Sequence, residues 1–180
     1  MKIFGIDPGS QRTGYGCIES SGSRHRLIVC GALTTPARAT FPDKLTAIHA
    51  GLSELLARHR PDSVAVEDIF YARNVRSALK LGHARGVALL AAAEAGIPVV
   101  EYAPAVIKRA VAGYGRAEKS QIQLMIQLLL GLDAPPSPHD AADALAIAIC
   151  HLHASSSVIV PRAEPHRPGA PARSWRDYRP

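Results

Sequence analysis

The sequence predicts an α/β fold, a mixed β-sheet covered by helices. Three observations point there. Three short apolar runs open the chain, separated only by polar, turn-rich connections. From Leu45 onward the apolar spacing becomes helical. Short apolar runs then alternate with helical stretches, which gives the order βββ-α-β-α-β-α-α-α. A length of 180 residues with 47% hydrophobic and 20% charged content suits one globular domain with its own core.

Residues 2–6 read as the first strand, 7–13 as a turn on Asp7-Pro8-Gly9, and 14–19 as the second strand. Residues 27–30 suggest a third, so the chain opens with an antiparallel meander. Leu45, Ile48, Leu52, Leu55 and Leu56 recur at helical spacing, with Pro61 just past the end. Residues 64–67 form a short apolar strand that ends in Glu67. Residues 75–95 predict a long helix between a capping Asn74 and a stop at Gly96. In the strand over 97–102, Pro98 marks either its start or an edge position. Residues 104–111 read as a short helix, 113–115 as a loop and 118–130 as a helix. Pro135, Pro136 and Pro138 precede a last helix over 139–153.

There is no internal repeat. Residues 1–155 are expected to form the domain and 156–180 a disordered tail. Residues 161–180 hold five prolines and five arginines, with almost nothing aliphatic to bury. The net charge of +6 favours an acidic partner, nucleic acid before a membrane surface. Cys17, Cys30 and Cys150 make neither a metal-binding pair nor an even disulfide framework, so buried free thiols in a reducing cytoplasm are expected. No secretory h-region opens the chain, and no uninterrupted apolar run approaches the roughly 18 residues of a membrane span.

The apolar strand 2–6 delivers a carboxylate, Asp7. Asp-Pro-Gly is good turn chemistry and alone needs no function. Glu67 ends a second apolar strand, and charged groups are rarely buried without a partner. If the two strands are neighbours, both carboxylates emerge at one rim. The last helix adds two more. Ser137 as N-cap, Pro138 at the first helical position and Asp140 near the positive helix end explain Asp140 structurally. They leave Asp143 unexplained, among Ala141, Ala142, Ala144, Leu145, Ala146 and Ile147. Asp140 and Asp143 are three apart and share a helix face. These stretches are expected to supply the carboxylates with no lysine or arginine, which leaves a divalent metal as counter-charge. Oxygen-only ligands suit Mg²⁺ or Mn²⁺. Two such ions about 4 Å apart would activate water for phosphodiester cleavage.

The stretches GIDPGSQRTGYG, VEDIFYARN, SALKLGHARGVAL, AEKSQIQ and HDAADALAIAI, in this order, resemble the RuvC family of Holliday junction resolvases. The resemblance covers residues 1 to about 153. It implies a ribonuclease-H-like fold, with a mixed five-stranded sheet and helices on both faces. It implies a homodimer that uses two Mg²⁺ ions per active site, with Mn²⁺ as a substitute, to nick opposed strands of a four-way junction in recombination and repair. A branch-migration helicase complex is the implied partner. The family's acidic residues map onto Asp7, Glu67, Asp140 and Asp143, as catalytic and metal-binding groups. His139 beside Asp140 is either a metal ligand or proton shuttle, or an exposed residue of the first helical turn.

Phe70 and Tyr71 stand in a polar loop of a chain with nine aromatic residues (three Phe, five Tyr, one Trp). They either pack the loop or stack on bases unpaired at a crossover, and the resemblance favours stacking for Phe70. Arg73, Arg76, Lys80 and Arg85 follow, and Arg76 and Lys80 can share a face toward phosphates. Lys108 and Lys119 resemble the family's phosphate-contacting lysines, and Lys119 opens a helix. The Ala-, Gly- and Leu-rich 75–95 helix is the candidate dimer interface. Rival readings are an actin-like sugar kinase or ATPase, another ribonuclease-H-like nuclease acting on RNA–DNA hybrid or linear DNA, and a non-catalytic junction-binding module.

Overall fold

The computed structural model describes residues 1–68 and 74–156. Phe70, Tyr71, Arg73 and the expected tail beyond residue 156 lie outside the described residues. Strands β1 (Lys2–Asp7), β2 (Arg12–Ser21) and β3 (Arg24–Thr34) form the antiparallel meander. β4 (Ser63–Glu67) pairs parallel with β1, and β5 (Val99–Tyr102) parallel with β4. The five-stranded sheet therefore runs β3-β2-β1-β4-β5. Helices α1 (Phe41–His59) and α2 (Val75–Glu94) make the crossovers that parallel pairing demands. Helices α3 (Pro104–Ala112), α4 (Lys119–Leu130) and α5 (His139–Ser156) follow β5.

The element order matches the sequence reading throughout. Strands β2 and β3 run further than expected, to Ser21 and from Arg24. β2 also begins at Arg12, inside the expected turn, and β3 continues to Thr34. The polar ends Arg12-Thr13, Ser20-Ser21 and Arg24-His25-Arg26 were under-reported by apolar content, while Gly31-Ala32-Leu33 simply extend the apolar run. The hairpin turns on Gly22-Ser23, with φ +60° at Gly22, a conformation that glycine adopts without a Cβ penalty. Pro98 sits just before edge strand β5, and its carbonyl accepts the Val64 N–H at 2.9 Å. Asn74 caps α2 as expected, accepting from the Arg76 N–H at 2.9 Å. One cap differs from expectation. Helix α5 begins at His139, so Pro138 precedes it, and the Pro138 carbonyl accepts the Ala141 N–H at 3.0 Å.

Strand alternation divides the core into two layers. Phe4, Ile6, Val64 and Val66 pack with Ile48, Leu52 and Leu56 of α1 and Ala84, Ala88, Ala91 and Ala92 of α2. Ile3 and Ala65 face the other way, toward Ile107, Ile122, Ile126 and the nearly continuous apolar surface of α5. Cys17 and Cys150 are buried and Cys30 partly so, and all three are free. Among the described residues no helix is long and apolar enough to cross a membrane.

Candidate active site

β1 and β4 lie side by side, with Ile6 opposite Val66. Asp7 and Glu67 are the next residues, so the register delivers both carboxylates to one rim. Alternation puts Asp7 on the face of Ile3 and Gly5, and Glu67 on that of Ala65. This is the face α5 covers. Three glycines let the helix approach. A Cβ on Gly5 would stand 2.0 Å from the Ala144 carbonyl oxygen, and one on Gly14 would stand 2.0 Å from that of Asp140. A Cβ on Gly16 would meet the Leu145 side chain at 2.7 Å. Gly14 lies opposite Asp7 across the β1–β2 ladder. The bare backbone beside Asp7 is thus the seat of the Asp140 turn. Sequence reasoning missed this contact, although glycines at alternating strand positions signal close backbone approach.

A cavity of about 240 Å³ opens at the rim, lined by Asp7, Glu67 and Asp143 with Lys108, Lys119 and Ile147. Asp140 stands beside it. Lys119 Nζ donates to Asp143 Oδ2 at 2.9 Å. Arg12 Nε lies 3.1 Å from Asp140 Oδ2. The expectation that the carboxylates lack basic partners is therefore corrected. Arg12 lies inside the first motif, at the start of β2, and the turn between β1 and β2 brings it back beside α5. Asp7 and Glu67 form no ion pair among the described residues. Burial, then repulsion from Glu67, Asp143 and Asp140, pushes the Asp7 carboxyl up to about 7, against a smaller pull from Lys119. Burial and Asp143 also raise Glu67, with Lys119 and Lys108 opposing. The bond to Asp143 raises the Lys119 ammonium.

Other predicted residues lie away from this cavity. His139 is exposed and bonds through Nδ1 to Gln123 Nε2 at 2.8 Å. Arg76 is exposed in the first turn of α2, and Lys80 places Nζ 5.9 Å from the Phe41 ring centre. Arg85 is engaged by Asp68 at 3.1 Å and by Glu101. Among the described residues no three His, Cys, Asp or Glu side chains converge as a ready metal site.

The sheet order, the helices on both faces and the acidic rim of two adjacent parallel strands define the ribonuclease-H-like class. The family described as Crossover junction endodeoxyribonuclease RuvC matches residues 3–151. A RuvC of Syntrophomonas wolfei is 54% identical over 153 residues, 85% of this chain and 89% of that protein. One of Chloroflexus aurantiacus is 52% identical over 158 residues, 88% of this chain and 96% of that protein. The Thermus thermophilus RuvC solved with a Holliday junction substrate superposes with a TM-score of 0.82 at 40% identity, covering 86% of this chain and 94% of that one. The chain belongs to the RuvC family of crossover junction endodeoxyribonucleases.

Proposed function

We propose that this chain resolves four-way DNA junctions by paired nicks in opposed strands, during recombination and repair. The observation that carries the reading is one cavity at the end of two parallel strands that combines Asp7, Glu67 and Asp143 with Lys108 and Lys119. Nucleases of this family are metal-dependent. The site suits a hard divalent cation, because its donors are all oxygen and Asp7 and Glu67 are short of positive charge. Asp7, Glu67, Asp140 and Asp143 would hold two Mg²⁺ ions, or Mn²⁺ in their place. When bound, the ions would supply a more acidic water and stabilise charge on the leaving oxygen.

The chain's own groups do the rest. Asp7 and Glu67 sit on strand ends fixed by the sheet, so the donors hold position as a phosphate enters. Asp7 would hold the ions as the carboxylate, so cation binding would favour its deprotonated form. Lys108 and Lys119 face the entering phosphodiester. Lys119, which holds Asp143 at 2.9 Å, would turn to a phosphate oxygen and leave Asp143 free to serve as one of the metal-holding carboxylates. Outside the cavity, Phe70 stacks at the crossover and Arg76 and Lys80 contact phosphates. A homodimer built on α2 presents two sites to a nearly two-fold junction. A branch-migration helicase complex delivers that junction. Three free cysteines are at home in a reducing cytoplasm. Residues 1–155 form the nuclease domain and 156–180 its basic tail.

The test compares Mg²⁺-dependent cleavage of a synthetic four-way junction, a linear duplex of the same sequence and an RNA–DNA hybrid. Symmetric nicks in the junction alone are expected. Cleavage of hybrid or linear duplex at an equal rate overturns the assignment.

A further inference from the structure

The turn that follows Asp7 has a second side. Ser10 and Gln11 line a polar cavity of about 320 Å³ with Phe41, Lys44, Ser77 and Lys80. A neighbouring cavity of about 240 Å³ shares Gln11 and Lys44 and reaches Arg12 and Thr35. No carboxylate lines either one. The two form a groove from the first turns of α1 and α2 to Arg12, whose guanidinium touches Asp140 at the catalytic rim.

Several surface cations are engaged by carboxylates, and others, such as Arg76 and Lys108, form no ion pair among the described residues. Arg26 is paired with Glu19, Arg58 with Glu54, Arg85 with Asp68, and Lys119 with Asp143. Lys44 and Lys80 pair with no carboxylate among the described residues. Lys44 reaches only the Ala37 carbonyl, at 3.4 Å, and Lys80 lies over Phe41. The adjacent Asp43 is occupied by the Thr40 hydroxyl at 2.5 Å. Two ammonium groups without a carboxylate, two serine hydroxyls and an amide therefore surround one polar cleft. Such a set of donors matches phosphate oxygens.

We infer that Lys44, Lys80, Ser10, Gln11 and Ser77 form a second phosphodiester-binding groove, which guides a junction strand along the α1–α2 side of the sheet to the carboxylate cavity. This rests on the junction-cleaving reading above. Ser10 is three residues beyond Asp7, so at most about 11 Å of chain separates them. With about 3.4 Å of axis per phosphate along one strand, the groove begins within about three nucleotides of the cut. Lys44 fixes the strand that Lys108 and Lys119 receive on the other side of the turn.

The experiment titrates wild type, Lys44→Ala, Lys44→Arg and Lys80→Ala with a junction across a salt series in EDTA. Each alanine variant should lower the log–log salt slope by about 1, and Lys44→Arg should restore it. The junction is then rebuilt with an uncharged methylphosphonate at each of the phosphates flanking the cut. At one position, Lys44→Ala should weaken binding no further. An unchanged slope in both alanine variants, or the same loss at every methylphosphonate, overturns the groove. Lys80 is exposed on its helix, so its variant keeps the test open if Lys44→Ala unfolds. Failure of the wild type to cut junctions in Mg²⁺ overturns the function instead, while the salt slopes still decide whether the groove binds phosphate.

Discussion

The two faces of the sheet solve different problems. On one, α5 sinks onto β1 and β2 through Gly5, Gly14 and Gly16, and every residue from Ala144 to Cys150 is buried. On the other, α2 buries only a stripe of alanines and leaves Val75 76%, Leu79 59% and Leu90 50% exposed. Those residues line an apolar cleft of about 670 Å³ with Leu45, Gly82 and Gly86. An exposed apolar ridge of this kind marks an association surface, and a second copy of the chain is its proposed occupant. The first face is closed and locates carboxylates. The second is open and, on the readings above, meets partner and DNA.

The largest expected effect lies at the closed face. Asp7→Asn should abolish Mg²⁺-dependent nicking and leave junction binding nearly intact, because affinity comes mainly from basic groups. The same variant should stabilise the metal-free protein at pH 8. Asp7 holds its proton more tightly folded, with a pKa near 7 against 3.8, so metal-free stability falls as pH rises from about 4 to about 7. Urea titrations in EDTA at pH 5 and pH 8 measure the difference, for which about 3 kcal/mol is the ceiling before water screening, because only the span from pH 5 to the folded value is crossed. A wild type equally stable at both values, with Asp7→Asn still cleaving, would remove Asp7 from the site and erase the contrast between the faces.

Gly14→Ala comes next. Its new Cβ would meet the Asp140 carbonyl oxygen at 2.0 Å, and neither backbone can yield cheaply. Overpacking of this kind costs about 1–3 kcal/mol, occasionally more. Displacing the Asp140 turn should also lower cleavage beyond what the lost stability explains. Thermal unfolding together with cleavage well below the melting transition separates the two losses. Normal melting with normal cleavage would mean that α5 does not depend on the bare strand.

Much of the closed face was legible in the sequence. Apolar strands 2–6 and 64–67 each ended in a carboxylate, and Asp143 stood in an otherwise apolar helix. These are local violations of patterning, which sequence displays directly. What sequence hid was partnership. The Arg12–Asp140 contact spans a turn and a packing interface, and Lys119 meets Asp143 across two helices. Neither pair has a spacing that advertises it. The glycines were visible, but their purpose depended on which face α5 covers. The open face read less well. Lys80 was read from the sequence as phosphate-facing, but Lys44 looks like an ordinary solvated lysine until the chain brings α1 and α2 beside Gln11.

The smallest effect tests the open face most sharply. Gly86 lies within α2 beside the exposed ridge, and a Cβ there would meet nothing within 4 Å. In an isolated chain, Gly86→Ala should therefore stabilise the helix by about 0.5–1 kcal/mol, from propensity alone. A dimer that packs α2 against its copy reverses the sign. Glycines at 82 and 86 are one helical turn apart, and together they let a partner backbone come close. A methyl at 86 would hold it off. Dilution-dependent sedimentation should then show weaker self-association for Gly86→Ala, while urea unfolding at nanomolar concentration shows a more stable monomer. The two readouts move in opposite directions only if the ridge is an interface. If the monomer becomes more stable and self-association is unchanged, α2 faces water, and the exposed leucines need another occupant.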